Sequence, residues 1–261
     1  MKLSVIVLTR NNQEFIGKCL ESVKGWAKEI VVIDAGSTDK TLSIAKKYNC
    51  RIIPQPWLGF SRQRTLGAQK ATSEWVFYLD ADERMGKELK KEIDRLSKAP
   101  AEAGFQVKRK NFILGKWLQK GGWYPDRQTR LINKTKLNQW VGRIHEYPSL
   151  TGATGSLEAP IVHLTHRGIN WNLKKTITYT DQVADLMYRA GKFRLRWWHL
   201  FTAPLRQFWH RGIVKGGLFE GMEGLITVLY QVFDTFITYA KLWEKQQTES
   251  MKQKYQKLDG R

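Results

Sequence analysis

Across the first hundred residues, apolar runs of strand length alternate with stretches whose apolar residues recur at helical spacing. Leu3–Leu8 is a nearly continuous β-branched run, as a strand covered on both faces requires. Asn11 and Glu14 then read as a capping box, and Phe15, Ile16, Cys19, Leu20 and Val23 repeat with the period of a helix. Glu29–Ile33 is the next strand, and the polar turn from Asp34 to Asp39 leads into a helix over 39–48. Arg51–Ile53 is a short strand stopped by Pro54 and Pro56. A basic helix over 61–71, the strand Trp75–Leu79 and a helix over 86–98 complete the series. This order predicts an α/β fold with an open, mostly parallel sheet and helices on both faces.

Such sheets bind ligands outside the carboxyl ends of their strands. The chain's unusual polar residues fall there: Thr9, Arg10 and Asn11 after the first strand, Asp34 to Asp39 after the second, Asp80 to Glu83 after the fourth. The last group places three acids around Ala81. Desolvated carboxylates are costly unless they hold a cation or a strong donor. If the strand continued, Asp80 and Asp82 would share one face. Two oxygen donors on one side suit a hard ion such as Mg²⁺ or Mn²⁺, which could neutralise a phosphorylated ligand. The plainer alternatives are a solvated acidic loop for Asp80 and Asp82, and a turn and helix cap for Asp34 and Asp39.

The 44 basic residues against 24 acidic ones give a formal net charge of +20, so an anionic partner is expected. Nucleic acid would explain the charge but not the acids at three strand ends, and it is not expected as a partner. The length of 261 residues allows one large domain plus an appendage. The pattern assigns 1–166 to a catalytic domain, 167–245 to a helical region and 246–261 to a loose polar tail. Leu186–Phe219 contains no Asp or Glu and interleaves seven Arg and Lys with Trp and Phe, which suits the headgroup level of an anionic bilayer. The apolar stretch Leu225–Ala240 is interrupted by Gln231 and Asp234, so it reads as a core or interfacial helix. Cys19 and Cys50 read as buried structural thiols, consistent with a reducing compartment. Leu3–Leu8 is too short for a secretory signal, and a cytoplasmic location is expected.

Leu8-Thr-Arg-Asn11, Val32-Ile-Asp-Ala-Gly-Ser-Thr-Asp39 and Leu79-Asp-Ala-Asp-Glu83 together resemble the family 2 inverting glycosyltransferases of GT-A fold. Trp123-Tyr-Pro-Asp126, His145-Glu146 and the helical segment ending Tyr239-Ala-Lys-Leu-Trp243 resemble one branch, the bacterial β-1,4-glucosyltransferases of the lipopolysaccharide inner core. Ala35 departs from the serine common in the family before Gly36-Ser-Thr. The resemblance implies a uridine diphosphate sugar as donor, with Asp34 reading the uracil and Thr9, Arg10 and Asn11 lining the nucleotide pocket. It implies Asp80 and Ala81 beside the ribose, Asp82 and Asp80 on Mg²⁺ or Mn²⁺ in the manner of a DXD motif, and His163 completing the metal shell. A satisfied core histidine is the other reading of His163, and of His145. Two acids compete as catalytic base, Glu146 and Asp126; an ion pair is the alternative for the first, a Pro-Asp turn for the second. Arg127 and Arg130 read either as diphosphate contacts or as exposed cations, and Gly121-Gly122 as a turn or as backbone near the donor sugar. The implied acceptor is a lipid-linked saccharide, met by a peripheral enzyme at the cytoplasmic face of the inner membrane.

Overall fold

The computed structural model of the chain describes residues 2–96, 100–142, 146–191, 194–247 and 250–259. The chain forms two compact units, Met1–Phe112 with Tyr124–Thr165, and Ile113–Trp123 with His166–Arg261.

The first unit is built on β1 (Leu3–Thr9), α1 (Ile16–Glu21), β2 (Glu29–Asp34), α2 (Thr41–Lys46), β3 (Arg51–Pro54), α3 (Phe60–Lys70) and β4 (Trp75–Asp80). These are followed by β5 (Glu83–Met85), α4 (Lys87–Arg95) and β6 (Gly104–Ile113). The sheet runs β3-β2-β1-β4 and then continues through later strands, β8 (Asp126–Asn133), β6, β11 (Thr154–Thr165) and β5. The first four are parallel, whereas β8 joins β4, β6 joins β8 and β5 joins β11 antiparallel. Residues of β1 alternate between two cores, as the pleat demands. Val5 and Val7 pack with Ile16, Leu20, Leu89 and Ile93, while Ile6 packs with Val31, Ala68, Tyr78 and Trp140. Burial on both faces is why this strand shows no polar alternation. Gly67 lets α3 lie close on β1, since a Cβ there would meet Ile6 Cγ2 at 2.6 Å.

The registers pair Thr9 with Asp34 and Leu8 with Asp80, so three polar strand ends open at one edge of the sheet. A separate hairpin, β9 (Leu137–Val141) and β10 (Tyr147–Leu150), lies against α3: Trp140 N donates to Thr65 Oγ1 at 3.3 Å, and Ser61 Oγ donates to Gly142 O.

The capping-box reading of Asn11 is corrected. Helix α1 starts only at Ile16, with no side-chain cap, and Asn11 sits in the left-handed region with φ 52°. Asn11 Oδ1 accepts from Thr38 N at 2.8 Å and its own N–H donates to Ser37 Oγ at 2.9 Å, tying together the loops after β1 and β2. The left-handed conformation, which asparagine tolerates, directs the side chain across that gap.

In the second unit, β7 (Lys116–Trp117) precedes a turn at Gly121-Gly122, both with positive φ. Gly121 N donates to Lys215 O at 2.8 Å, and a Cβ on Gly121 would meet Gly217 Cα at 3.3 Å, so the turn is a packed one. Helices α5 (Ile169–Ala190), α6 (His199–Phe208) and α7 (Gly221–Lys245) follow, with a π-helical turn at Trp209–Val214. Ala184, Leu195 and Leu242 form their core with Met187, Leu200 and Tyr239. Asp234, the acid that interrupts the apolar stretch, accepts from Thr176 Oγ1 of α5 at 2.5 Å; burial raises its pKa, partly offset by that bond. No described helix is long and apolar enough to cross a membrane. The tail expected to be loose contains α8 (Met251–Asp259), whose Lys, Gln and Leu residues favour helix without needing a core.

Candidate active site

At the open edge of the first unit, a cavity of about 320 Å³ is lined by Thr9, Arg10, Asn12, Trp57, Phe60 and Gln63, with Leu8, Ile33 and Ala35. Thr9 and Arg10, which the resemblance assigned to the nucleotide pocket, line this cavity. Asn11 and Asp34 instead hold the loops beside it. The buried Asp34 accepts from Gly36 N (3.0 Å) and Ser37 N (2.9 Å) through Oδ2, and from Ser37 Oγ (2.5 Å) through Oδ1. Asp39 accepts from Thr41 N and Gln13 N, anchoring the start of α2 to the loop after β1.

Trp57 and Phe60 were missed in the sequence. They meet edge to face with centroids 4.7 Å apart and remain 46% and 47% exposed, an apolar wall with nothing stacked on it among the described residues. The signal was the isolated aromatic pair after Pro54 and Pro56 in a segment too short to be a core helix. Gln63, also missed, donates from Nε2 to Gln55 O (3.2 Å) and Pro56 O (3.4 Å), and its buried Oε1 is an acceptor without a partner among the described residues.

Around the end of β4, acids and arginines alternate in one chain of contacts. Glu146 Oε1 accepts from Arg64 Nε at 3.0 Å, and Arg64 Nη2 reaches Asp80 Oδ1 at 3.1 Å. Arg130 Nη2 joins Asp80 Oδ2 (2.8 Å) to Glu83 Oε1, and Arg109 reaches Glu83 at 3.7 Å and Asp126 at 2.7 Å. Glu83 is fully buried, and its Oε2 accepts from Asp80 N at 2.9 Å, closing the turn. The strand therefore ends at Asp80, and Ala81 and Asp82 form a turn, so the shared-face argument for Asp80 and Asp82 does not apply. Burial would raise the Asp80 carboxyl, but Arg130 and Arg64 outweigh it and hold its pKa far below the usual carboxylate range. Ala81 is buried and its carbonyl accepts from Arg84 Nη1 at 3.1 Å.

Arg64 is fixed by more than its acids. Its guanidinium lies 5.1 Å from the Trp140 ring centre and 5.6 Å from that of Tyr78, whose hydroxyl donates to Arg64 O at 2.8 Å. Only one oxygen of Glu146 is engaged; Oε2 has no hydrogen bond among the described residues. Asp126 differs. Arg109, Asn111 Nδ2 (3.1 Å) and Gln128 Nε2 (3.1 Å) all donate to it, and these donors outweigh burial to keep its pKa low.

Asn111 continues the network. Its Nδ2 is spent on Asp126, so its Oδ1 faces His163 Nδ1 at 2.7 Å and must accept. Nδ1 then carries the proton, and the lone pair is on Nε2, which lies 3.8 Å from Asp82 Oδ1. Burial lowers the His163 pKa despite the acids around it, favouring neutral imidazole, the form that binds metals. Asp82 and His163 are thus a pair of donors that fit a divalent ion, with Asn111 orienting the ring from behind. Among the described residues no group of three or more His, Cys, Asp or Glu could hold a metal. Both oxygens of Asp80 face guanidinium groups, so its position is that of a structural anion.

The expectation that Arg130 is a diphosphate contact or exposed cation is corrected: it is buried and neutralises Asp80 and Glu83. Arg127 pairs with Glu158 at 3.2 Å. Arg143 and His145 lie outside the described residues. Cys19 is buried as expected and its thiol donates to Asp80 O at 3.4 Å, while Cys50 is only partly buried. Replacing Arg130 by Met leaves Glu83 buried without its main counter-charge. Such losses cost about 3–5 kcal/mol, so a large fall in melting temperature is expected. An unchanged thermal transition would contradict the assignment of Arg130 to the structure of the turn.

A parallel half-sheet with acids and a cavity at its carboxyl ends is the arrangement in which open α/β sheets hold their ligands. The profile "Glycosyl transferase family 2" matches residues 4–148, more than half of the chain. The chain belongs to that family and is a glycosyltransferase. It is 37% identical over 267 residues to an "Uncharacterized glycosyltransferase" of Rickettsia bellii, covering 93% of this chain and 86% of that one. To the "Lipopolysaccharide core biosynthesis glycosyltransferase LpsC" of Rhizobium meliloti it is 29% identical over 260 residues, covering 94% and 93%. Among solved structures, S. aureus TarS in complex with UDP-GlcNAc aligns over 95% of this chain and 93% of that one, at 16% identity and a TM-score of 0.48.

Proposed function

We propose that the enzyme moves glucose from uridine diphosphate glucose onto a lipid-linked saccharide of the lipopolysaccharide inner core, by a metal-dependent inverting displacement. The likeness to LpsC along nearly the whole chain supports the acceptor class. The observation that carries the mechanism is the arrangement at the end of β4. An oriented His163 faces Asp82, and an arginine-held Glu146 stands beside Asp80 in the same network.

In this reading Trp57 and Phe60 receive the nucleobase beside Thr9 and Arg10. The unpartnered Gln63 Oε1 favours a base that brings an N–H donor, as uracil does at N3. Asp34 keeps the loop after β2 in shape beneath the base. Asp82 and His163 would hold Mg²⁺ or Mn²⁺, which would stabilise the charge growing on the leaving diphosphate. Glu146 Oε2 takes the proton of the acceptor hydroxyl as it attacks the anomeric carbon. A single base and direct displacement turn an α-linked donor into a β-linked product, with no covalent sugar intermediate. The excess of Lys and Arg suits a phosphorylated acceptor met at an anionic membrane, with the enzyme peripheral at its cytoplasmic face.

A panel of nucleotide sugars tests this, with Mn²⁺, Mg²⁺ or chelator, scored by nucleoside diphosphate release in the presence of purified core acceptor. Metal-dependent release from uridine diphosphate glucose is expected. Turnover confined to a guanosine- or cytidine-linked donor, or undiminished by chelator, would refute the donor or the metal respectively.

A further inference from the structure

The second unit carries an apolar stripe with no protein cover among the described residues. Trp197, Phe201, Leu205, Trp209 and Ile213 recur every fourth position and are 72%, 67%, 66%, 61% and 39% exposed. The opposite side of the same segment is packed: Ala203, Pro204 and Gly212 are buried, and α6 lies on α7 within this unit. In an uninterrupted α-helix, residues four apart drift by roughly 40° per step, so a long fourfold series would wander off one face. The π-helical turn at Trp209–Val214, with its wider i→i+5 winding, counters that drift where Ile213 must rejoin the stripe.

Within this segment the charges have one sign. Leu186–Phe219 contains no Asp or Glu, and Arg194, Arg196, Arg206 and Lys215 are exposed. The Arg196 guanidinium lies 5.0 Å from the Trp198 ring centre, which leaves a cation at the rim of the apolar surface. A second copy of the chain packing the same segment on its own would bring no acids of that segment to meet these arginines. Anionic lipid headgroups meet them directly, and tryptophan at the boundary of apolar and charged surface matches the interfacial depth of a bilayer.

We infer that this stripe is an in-plane anchor for an anionic phospholipid bilayer. Trp197, Phe201, Leu205, Trp209 and Ile213 enter the acyl boundary, and Arg194, Arg196, Arg206 and Lys215 lie against the headgroups. The inference extends the lipid-linked acceptor reading and rests on it for its purpose, but its test does not depend on transfer.

The test is co-sedimentation of the full chain with vesicles of phosphatidylcholine alone or containing phosphatidylglycerol. The parent should partition onto the anionic vesicles at least tenfold more strongly, with salt weakening binding. The triple substitution F201S/L205S/W209S should lower that partitioning tenfold or more, as should R194Q/R196Q/R206Q. Circular dichroism and release of nucleoside diphosphate from nucleotide sugar without vesicles should stay at the parent level, because these exposed side chains are outside the catalytic site. Parent-like vesicle binding by the apolar variant overturns the anchor. So does a parent that is dimeric by sedimentation velocity and becomes monomeric in that variant, because the stripe is then a protein interface. A parent that binds vesicles but releases no nucleoside diphosphate from any nucleotide sugar leaves the anchor standing and sinks the transferase chemistry instead.

Discussion

Glu146→Gln is expected to bind the nucleotide sugar with about the parent affinity and to lose transfer by roughly two to four orders of magnitude, the usual contribution of a positioned general base. The substitution keeps an oxygen for Arg64, so the ion pair becomes an ordinary hydrogen bond and the β9–β10 hairpin keeps its place on α3. It removes only the basic oxygen. Asp126 makes the contrast informative. Four donor contacts from Arg109, Asn111 and Gln128, three on Oδ2 and one on Oδ1, hold its pKa low, which makes it a poor proton acceptor. Asp126→Asn should therefore act through Asn111 and His163, weakening metal affinity more than the chemical step. Single-turnover transfer and equilibrium donor binding, measured on both variants, separate the two. Near-normal turnover by Glu146→Gln would remove it from the reaction.

The sequence announced the parallel half of the sheet because β1, β2 and β4 are buried on both faces and so consist of nearly continuous apolar runs. It also announced which strand ends were polar. It did not reveal how those polar groups divide their work. Asp34 and Asp39 look alike in a one-dimensional pattern, yet both turned out to hold turns, and Asn11 reaches across to the next loop from a left-handed backbone that no spacing rule predicts. The arginines were the larger omission. Arg64 and Arg109 come from a helix and a strand whose patterns gave no hint of convergence, and they meet the acids only through pairings distant in the chain. Net charge concealed them, since the buried Arg64 and Arg130 and the half-buried Arg109 are lost among 44 basic residues. The short β5 was unreadable for a related reason: Glu83 is a buried strand residue only because Arg130 arrives from β8 to neutralise it.

Removal of the cation donor is the sharpest test of the chemistry. Asp82→Ala deletes the carboxylate that faces His163 Nε2 and leaves the structural acids Asp80 and Glu83 with their arginines. The fold should persist, with a thermal transition close to the parent's. Mn²⁺ binding, followed by calorimetry or by the electron paramagnetic resonance of the free ion, should be lost in the presence of uridine diphosphate. The gain in nucleotide affinity that the ion gives the parent should vanish with it. Asn111→Leu approaches the same site from behind. It leaves both ligands in place but removes the carbonyl that fixes the proton on Nδ1, so the ring can turn or change tautomer. Loss of such an orienting partner typically costs about 10–100-fold in metal affinity. The two variants should thus form a series, with Asp82→Ala abolishing binding and Asn111→Leu weakening it. If Asp82→Ala binds Mn²⁺ and nucleotide like the parent while Asn111→Leu does not, the ion sits on His163 with other partners and Asp82 is only a turn residue. If neither variant changes Mn²⁺ binding, the oriented lone pair on His163 serves no cation and the ion is held by other residues.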